Sequence, residues 1–153
     1  MPVRSLRFDG DAVLRDVAAP VVQFGPELDA LVADLFATMY DSKGRGLAAP
    51  QVGVSTRVFV IDTEWKEAEP HPIAFVNPEI VEAAPFRQIG PEACLSIPDR
   101  AFHVARPVWV DLGWTSPAGI RQTARFAGVS AVCVCHELDH LNGVLITDSG
   151  TEI

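Results

Sequence analysis

At 153 residues, 48% of them hydrophobic, the chain has the apolar content for one domain with a buried core, and its formal net charge of −8 excludes broad phosphate-backbone binding, which needs clustered Lys and Arg. No stretch without a charged residue exceeds eleven positions, against about 20 for a bilayer span, and the opening MPVRSLRFDG lacks the apolar run of a signal peptide. Three unevenly spaced cysteines make no disulfide framework and suit a reducing compartment, so the expectation is a single cytoplasmic domain over residues 1–153 with no membrane and no direct nucleic-acid partner.

Along the chain, Pro26–Tyr40 places Leu28, Leu31, Val32, Leu35, Phe36 and Met39 at helical spacing, with Pro at the first turn, which predicts an amphipathic helix covering a core. A run of small residues follows at Gly44–Gly53. Arg57–Thr63 reads as a strand, as does Pro107–Trp114, both rich in Val and aromatics. Ile73–Asn77 and Ile80–Ala84 are two further strand candidates, interrupted by Pro78 and Pro85. Val129–Leu141 contains neither Gly nor Pro and is bounded by Gly128 and Gly143, the pattern of a helix. Together these elements predict an α+β fold, with short, mostly antiparallel strands packed around a C-terminal helix.

That last helix carries the sharpest chemical signal, His136-Glu137-Leu138-Asp139-His140. Histidines four residues apart share one helical face, so both imidazoles can reach one cation. Glu137 is placed to act on an activated water rather than to coordinate. A third ligand is required. Only 13 residues follow His140, and Ile146 stands where a downstream third histidine would fall. Glu152 lies in a segment expected to fray. The search therefore moves upstream, to Cys94, His71, His103 and several carboxylates. Cys94 stands out because the apolar segment Glu92–Pro98 can hold a thiolate rigidly. His71 sits in a polar, Pro-flanked loop, and His103 alternates with apolar strand neighbours. Cys133 and Cys135 read as packing residues, since one helix cannot arrange Cys133, His136 and His140 tetrahedrally. A Cys-His-His set leaves a position open, as catalytic sites do. Its softness suits Zn, Fe(II), Co or Ni over Mg or Ca.

Three segments, Gly44–Gln51 (GRGLAAPQ), Glu92–Ser96 (EACLS) and His136–His140 (HELDH), together resemble the peptide deformylase family, whose motifs are GxGxAAPQ, EGCLS and HExDH in the same order. The resemblance implies metal binding by Cys94, His136 and His140, with Fe(II) native and Ni, Co or Zn as replacements, and Glu137 as general base and acid. It implies an oxyanion hole from Gln51 and the Leu95 N–H. Gly44, Arg45, Gly46, Leu47 and Ala93 would flank an extended N-formyl-methionyl peptide, taken from nascent chains at the ribosome. The methionine side chain would enter a hollow formed by Arg45, Leu95, Val129, Val132, Cys133 and His136. Three departures stand out. Ala93 replaces the family's glycine and would be strained if that position needed positive φ. Cys135 stands where Gln usually precedes the first histidine, and Arg100 lies one position ahead of the expected arginine. Two alternatives share the chemistry in part: a divergent hydrolase of other N-acylated amines, and a non-catalytic metal-stabilised module, which would need neither Glu137 nor Gln51.

Overall fold

Pro26 and the acidic residues Glu27 and Asp29 start the first helix of the computed structural model, which describes residues 2–153; a fixed φ and negative charge both suit a helix N-terminus. In chain order the elements are α1 (Pro26–Asp41), β1 (Gly46–Ala48), β2 (Val58–Ile61), β3 (Ile73–Ala83), β4 (Arg87–Cys94), β5 (Ile97–Pro107), β6 (Trp109–Thr115), β7 (Arg121–Ala127), α2 (Val129–Leu141), α3 (Ile146–Ser149) and β8 (Thr151–Glu152), with 3-10 turns at Ala12–Arg15 and Ala49–Val52. The strands form two antiparallel sheets, one in the order β1-β2-β3-β6-β7 and one in the order β4-β5-β8. The α+β architecture is the expected one.

The larger sheet is covered on both faces. Because side chains alternate along a strand, β2 sends Val58 and Val60 toward α1, where Leu28, Leu31, Leu35 and Met39 bury them. Its Phe59 and Ile61 face the other way, toward Ala131, Val134, Leu138 and Leu141 of α2. Phe75, Trp114 and Phe126 complete that second layer, Phe59 and Phe75 stacking at 4.6 Å between centroids. The smaller sheet packs Ile97, Phe102 and Val104 with Leu14, Leu145 and Ile146, and Cys94 lies inside this cluster. Gly128 turns the chain from β7 into α2 at φ 59, a conformation that costs a side-chain-bearing residue. The helix bearing the two histidines is thus wedged between the sheets.

Several boundaries differ from the sequence reading. The two strand candidates around Pro78 are one strand, β3, whose pairing with β6 shifts register between Val76 and Glu79 and again between Ile80 and Glu82. Such bulges let Pro sit in a strand without leaving a ladder bond unmade. Residues assigned to Arg57–Thr63 narrow to Val58–Ile61, and Pro107 ends β5 rather than opening β6. Glu152 does not fray: β8 pairs with Phe102 and His103 of β5, and Arg100 grips the Glu152 carboxylate through two hydrogen bonds of 2.8 Å. No helix among the described residues is long and apolar enough to cross a membrane.

Candidate metal centre

One turn apart on α2, His136 and His140 present their Nε2 atoms to each other at 3.3 Å, and Cys94 Sγ lies 3.4 Å from His140 Nε2. The three ligand atoms fall within 4.8 Å of one another. Tetrahedral arms of about 2.05 Å to nitrogen and 2.3 Å to sulfur place ligand atoms about 3.3 Å (N to N) and 3.5 Å (S to N) apart, so the observed separations fit one shared cation. The donor chemistry fits as well. Glu92 Oε1 sits 2.9 Å from His136 Nδ1, which turns the opposite ring nitrogen toward the centre, as carboxylates behind metal-bound histidines do. Burial alone would depress His136, but Cys94 and Glu92 outweigh it and hold the imidazole up at about 10, while burial and the neighbouring His136 push His140 well below its ordinary value.

Cys94 reaches the centre through a local irregularity. The β4–β5 ladder keeps one register from Arg87 to Glu92 and then jumps, Cys94 pairing with Ile97 across the Leu95–Ser96 turn. A bulge of this kind re-aims a side chain. Ala93 sits at the jump with no positive φ, the non-glycine residues in that region being Lys43, Asn77 and Asp99, so alanine is unstrained there.

Glu137 is 4% exposed, and its Oε1 has no hydrogen-bond partner among the described residues. Burial pushes its carboxyl up to about 7, against the pull of His136 and Arg106. Gly46 fits against it so closely that an added Cβ would lie 2.6 Å from Glu137 Oε2. Gln51 is held on three sides. Its Oε1 accepts from the Ala48 N–H at 3.0 Å, its Nε2 donates to Ser96 Oγ at 3.0 Å, and the same Nε2 lies 3.6 Å from Cys94 Sγ.

These groups open onto a cleft of about 760 Å³. One wall is the Gly44–Gly46 segment, the other runs from Pro91 to Leu95, and Val129, Val132 and Cys133 of α2 form the base with His136 and Glu137. β1 and β4 are both terminal strands of their sheets, so each wall carries unpaired main-chain groups. Leu47 turns its side chain away from the cleft, wholly buried on the α1 side, so only its main chain can face a bound peptide. His71 and His103 are exposed and lie outside the ligand group. Cys135 is core, as expected.

Over residues 3–153 the chain matches the family model described as polypeptide deformylase. The chain belongs to that family. It is 43% identical over 148 residues to a peptide deformylase of Mesorhizobium japonicum, spanning 97% of this chain and 84% of the relative, and 46% identical to one of Brucella suis, spanning 97% and 85%. Among solved structures, a peptide deformylase from Thermotoga maritima superposes with a TM-score of 0.92 at 38% identity, covering 97% of this chain and 98% of that one. A Met-Ala-Ser-bound peptide deformylase from Acinetobacter baumannii superposes at 0.89 with 33% identity, covering 97% and 98%. As a deformylase, the protein is a metal-dependent hydrolase that removes N-formyl groups from nascent peptides.

Sequence reasoning overlooked the supports behind the deformylase site. Arg106, 5% exposed, donates to both Glu92 oxygens at 2.9 Å and to Asp139 Oδ2 at 2.6 Å. Burial works against its charge, but the two carboxylates hold its pKa above the ordinary value. The chain Asp139–Arg106–Glu92–His136 thus fixes the first ligand through two other elements. A lone Arg in the apolar stretch Phe102–Trp109 was the available signal. Asp62 was likewise overlooked. Fully buried, it accepts from Tyr40 Oη at 2.6 Å and from the backbone N–H groups of Glu64, Trp65 and His71. That arrangement brings Trp65 Nε1 to within 2.9 Å of the Gly44 carbonyl and sets Glu67 against the Arg45 guanidinium, which shapes one cleft wall.

Proposed function

We propose that this deformylase is a single catalytic domain over residues 1–153 that acts in the cytoplasm on N-formyl-methionyl peptides as nascent chains emerge. Its site would hold one divalent cation on Cys94, His136 and His140, Fe(II) being the resident metal and Zn, Ni or Co competent replacements. The observation that carries the reading is the convergence of three soft ligand atoms beside a buried carboxylate with one oxygen unpartnered.

When bound, the cation supplies Lewis acidity toward the attacking water and the formyl oxygen. Glu137 takes the proton from that water as its oxygen adds to the formyl carbon, and its near-neutral carboxyl suits both accepting and returning a proton. Gln51 Nε2 and the Leu95 N–H would receive the charge that develops on the formyl oxygen. Gln51 is pre-oriented for this by Ala48 and Ser96. The C–N bond then breaks, Glu137 delivers its proton to the departing nitrogen, and formate and a free amine leave. Main-chain groups at Gly44–Leu47 and Ala93 would hold the peptide as an added strand. The methionine side chain would lie against Val129, Val132 and Cys133, in a hollow rimmed by the Arg45 stem, Leu95 and His136.

The test is formate release from formyl-Met-Ala-Ser by anaerobically prepared protein, with metal content measured on the same sample. Glu137→Gln should keep the metal and lose about 10²–10⁴-fold in kcat/KM, and Cys94→Ser should lose metal. An active Glu137→Gln enzyme would remove the residue's assigned role. Acetyl-Met-Ala-Ser hydrolysed faster than the formyl peptide would redirect the reading to another N-acyl substrate.

A further inference from the structure

Next to the main cleft lies a second hollow of about 260 Å³, bounded by β4 from Gln88 to Glu92 and by Val129 and Val132 of α2. It shares Pro91, Glu92, Val129 and Val132 with the cleft, so the two spaces meet at the wall assigned to the methionine side chain. Residues 88, 90 and 92 lie on one face of β4, because the ladder is regular across them and side chains alternate. Glu92 closes the inner end by binding Arg106 and standing beside His136. Gln88 closes the outer end, its Nε2 donating to the Gly128 and Pro107 carbonyls at 3.0 and 3.2 Å. Between them stands Gly90.

Nothing in the fold requires glycine at that position. Its φ is not positive, and a Cβ built there would meet no atom within 4 Å. Glycine inside a strand weakens it and often marks a place where a ligand approaches. What the missing side chain leaves is room, on the face toward α2 and continuous with the cleft.

We propose that Gly90 extends the methionine hollow into a deeper apolar subsite, so that this enzyme accepts N-formyl peptides whose first side chain is longer than methionine's. The inference rests on the deformylase reading above and adds its substrate range. Val129 and Val132 form one side of the extension, and the open strand face at Gly90 forms the other.

The test compares formyl-Met-Ala-Ser with the 2-aminooctanoyl analogue, formyl-Aoc-Ala-Ser, in wild type, Gly90→Ala and Gly90→Leu. The readout is the ratio of the two kcat/KM values within each protein, which cancels differences in active fraction and metal content. Wild type should process the long substrate within about threefold of the methionyl one. The ratio should fall modestly in Gly90→Ala and by about tenfold or more in Gly90→Leu, the scale on which an apolar pocket discriminates by a few methylenes. If Gly90→Leu fails to fold, the wild-type ratio and its change in Gly90→Ala decide the matter. A wild type that rejects the long substrate tenfold, or a ratio unmoved by both substitutions, overturns the role of Gly90. Absence of formate from formyl-Met-Ala-Ser in wild type would instead remove the reading on which it rests.

Discussion

Replacing Gly46 by alanine should disable the enzyme without removing its metal. The new Cβ would stand 2.6 Å from Glu137 Oε2, 3.0 Å from its Cδ and 3.1 Å from Cys133 Sγ. Ordinary carbon contacts lie at about 3.5–4.0 Å, so the carboxylate or the β1 main chain must move by most of an ångström. Overpacking of this kind costs about 1–3 kcal/mol, or about 2–12 °C in Tm for a domain of this size. A shift of about 1 Å in a reacting group costs about 10²-fold in rate. The three atoms nearest that Cβ belong to Glu137 and Cys133 and include no metal ligand, so metal content should hold. Formate release, metal analysis and a thermal melt on one preparation give all three readouts. If Gly46→Ala retained kcat/KM within about twofold of wild type with metal bound, the close approach of β1 to Glu137 would have no part in catalysis.

Arg106→Leu leaves Glu92 buried without its partner and should cost about 3–5 kcal/mol in denaturant unfolding. Because Glu92 also orients His136, metal affinity in a competition titration should fall about 10–100-fold; undiminished affinity would detach Arg106 from the centre. Gln51→Leu should retain metal and lose about 10²–10³-fold in turnover, and a fully active variant would assign the oxyanion to other groups. Asp62 gives the fold a pH-dependent contribution to stability. Burial raises its pKa, but its bonds to Tyr40 and three backbone N–H groups win and hold it below 3.8. With the folded value below the unfolded one, its contribution is complete above about pH 4 and disappears as pH falls below that. Asp62→Asn should therefore lose about 1.5–3 kcal/mol at pH 7, and its gap to wild type should narrow as pH falls below about 4; a gap independent of pH would contradict this.

The elements with periodic apolar patterns were legible in the sequence. α2 matches its expected bounds, Val129–Leu141, because Gly128 supplies the positive φ that starts it and Gly143 (φ +73) turns the chain after it. β4 and β5 were hidden by Pro91, Pro98 and the charged residues Arg87, Glu92, Asp99 and Arg100 around them, which serve a bulged hairpin and a cleft wall rather than a regular strand. β7 was hidden because it is an edge strand with one buried residue, Phe126, and polar edges do not display the alternation of a half-buried strand. At the site, two ligands and the base share five consecutive positions, so spacing announced them. Asp139, Arg106 and Glu92 are brought together from three elements by the packing of α2 against the smaller sheet, and no local pattern encodes that.

Binding of the peptide as a strand added between β1 and β4 would also limit when the enzyme can work. An N-terminus already built into a hairpin or helix would offer no free strand edge and would be shut out. Deformylation and folding of the client protein would then compete for the same first few residues, and the slot would win only while those residues were still free in solution.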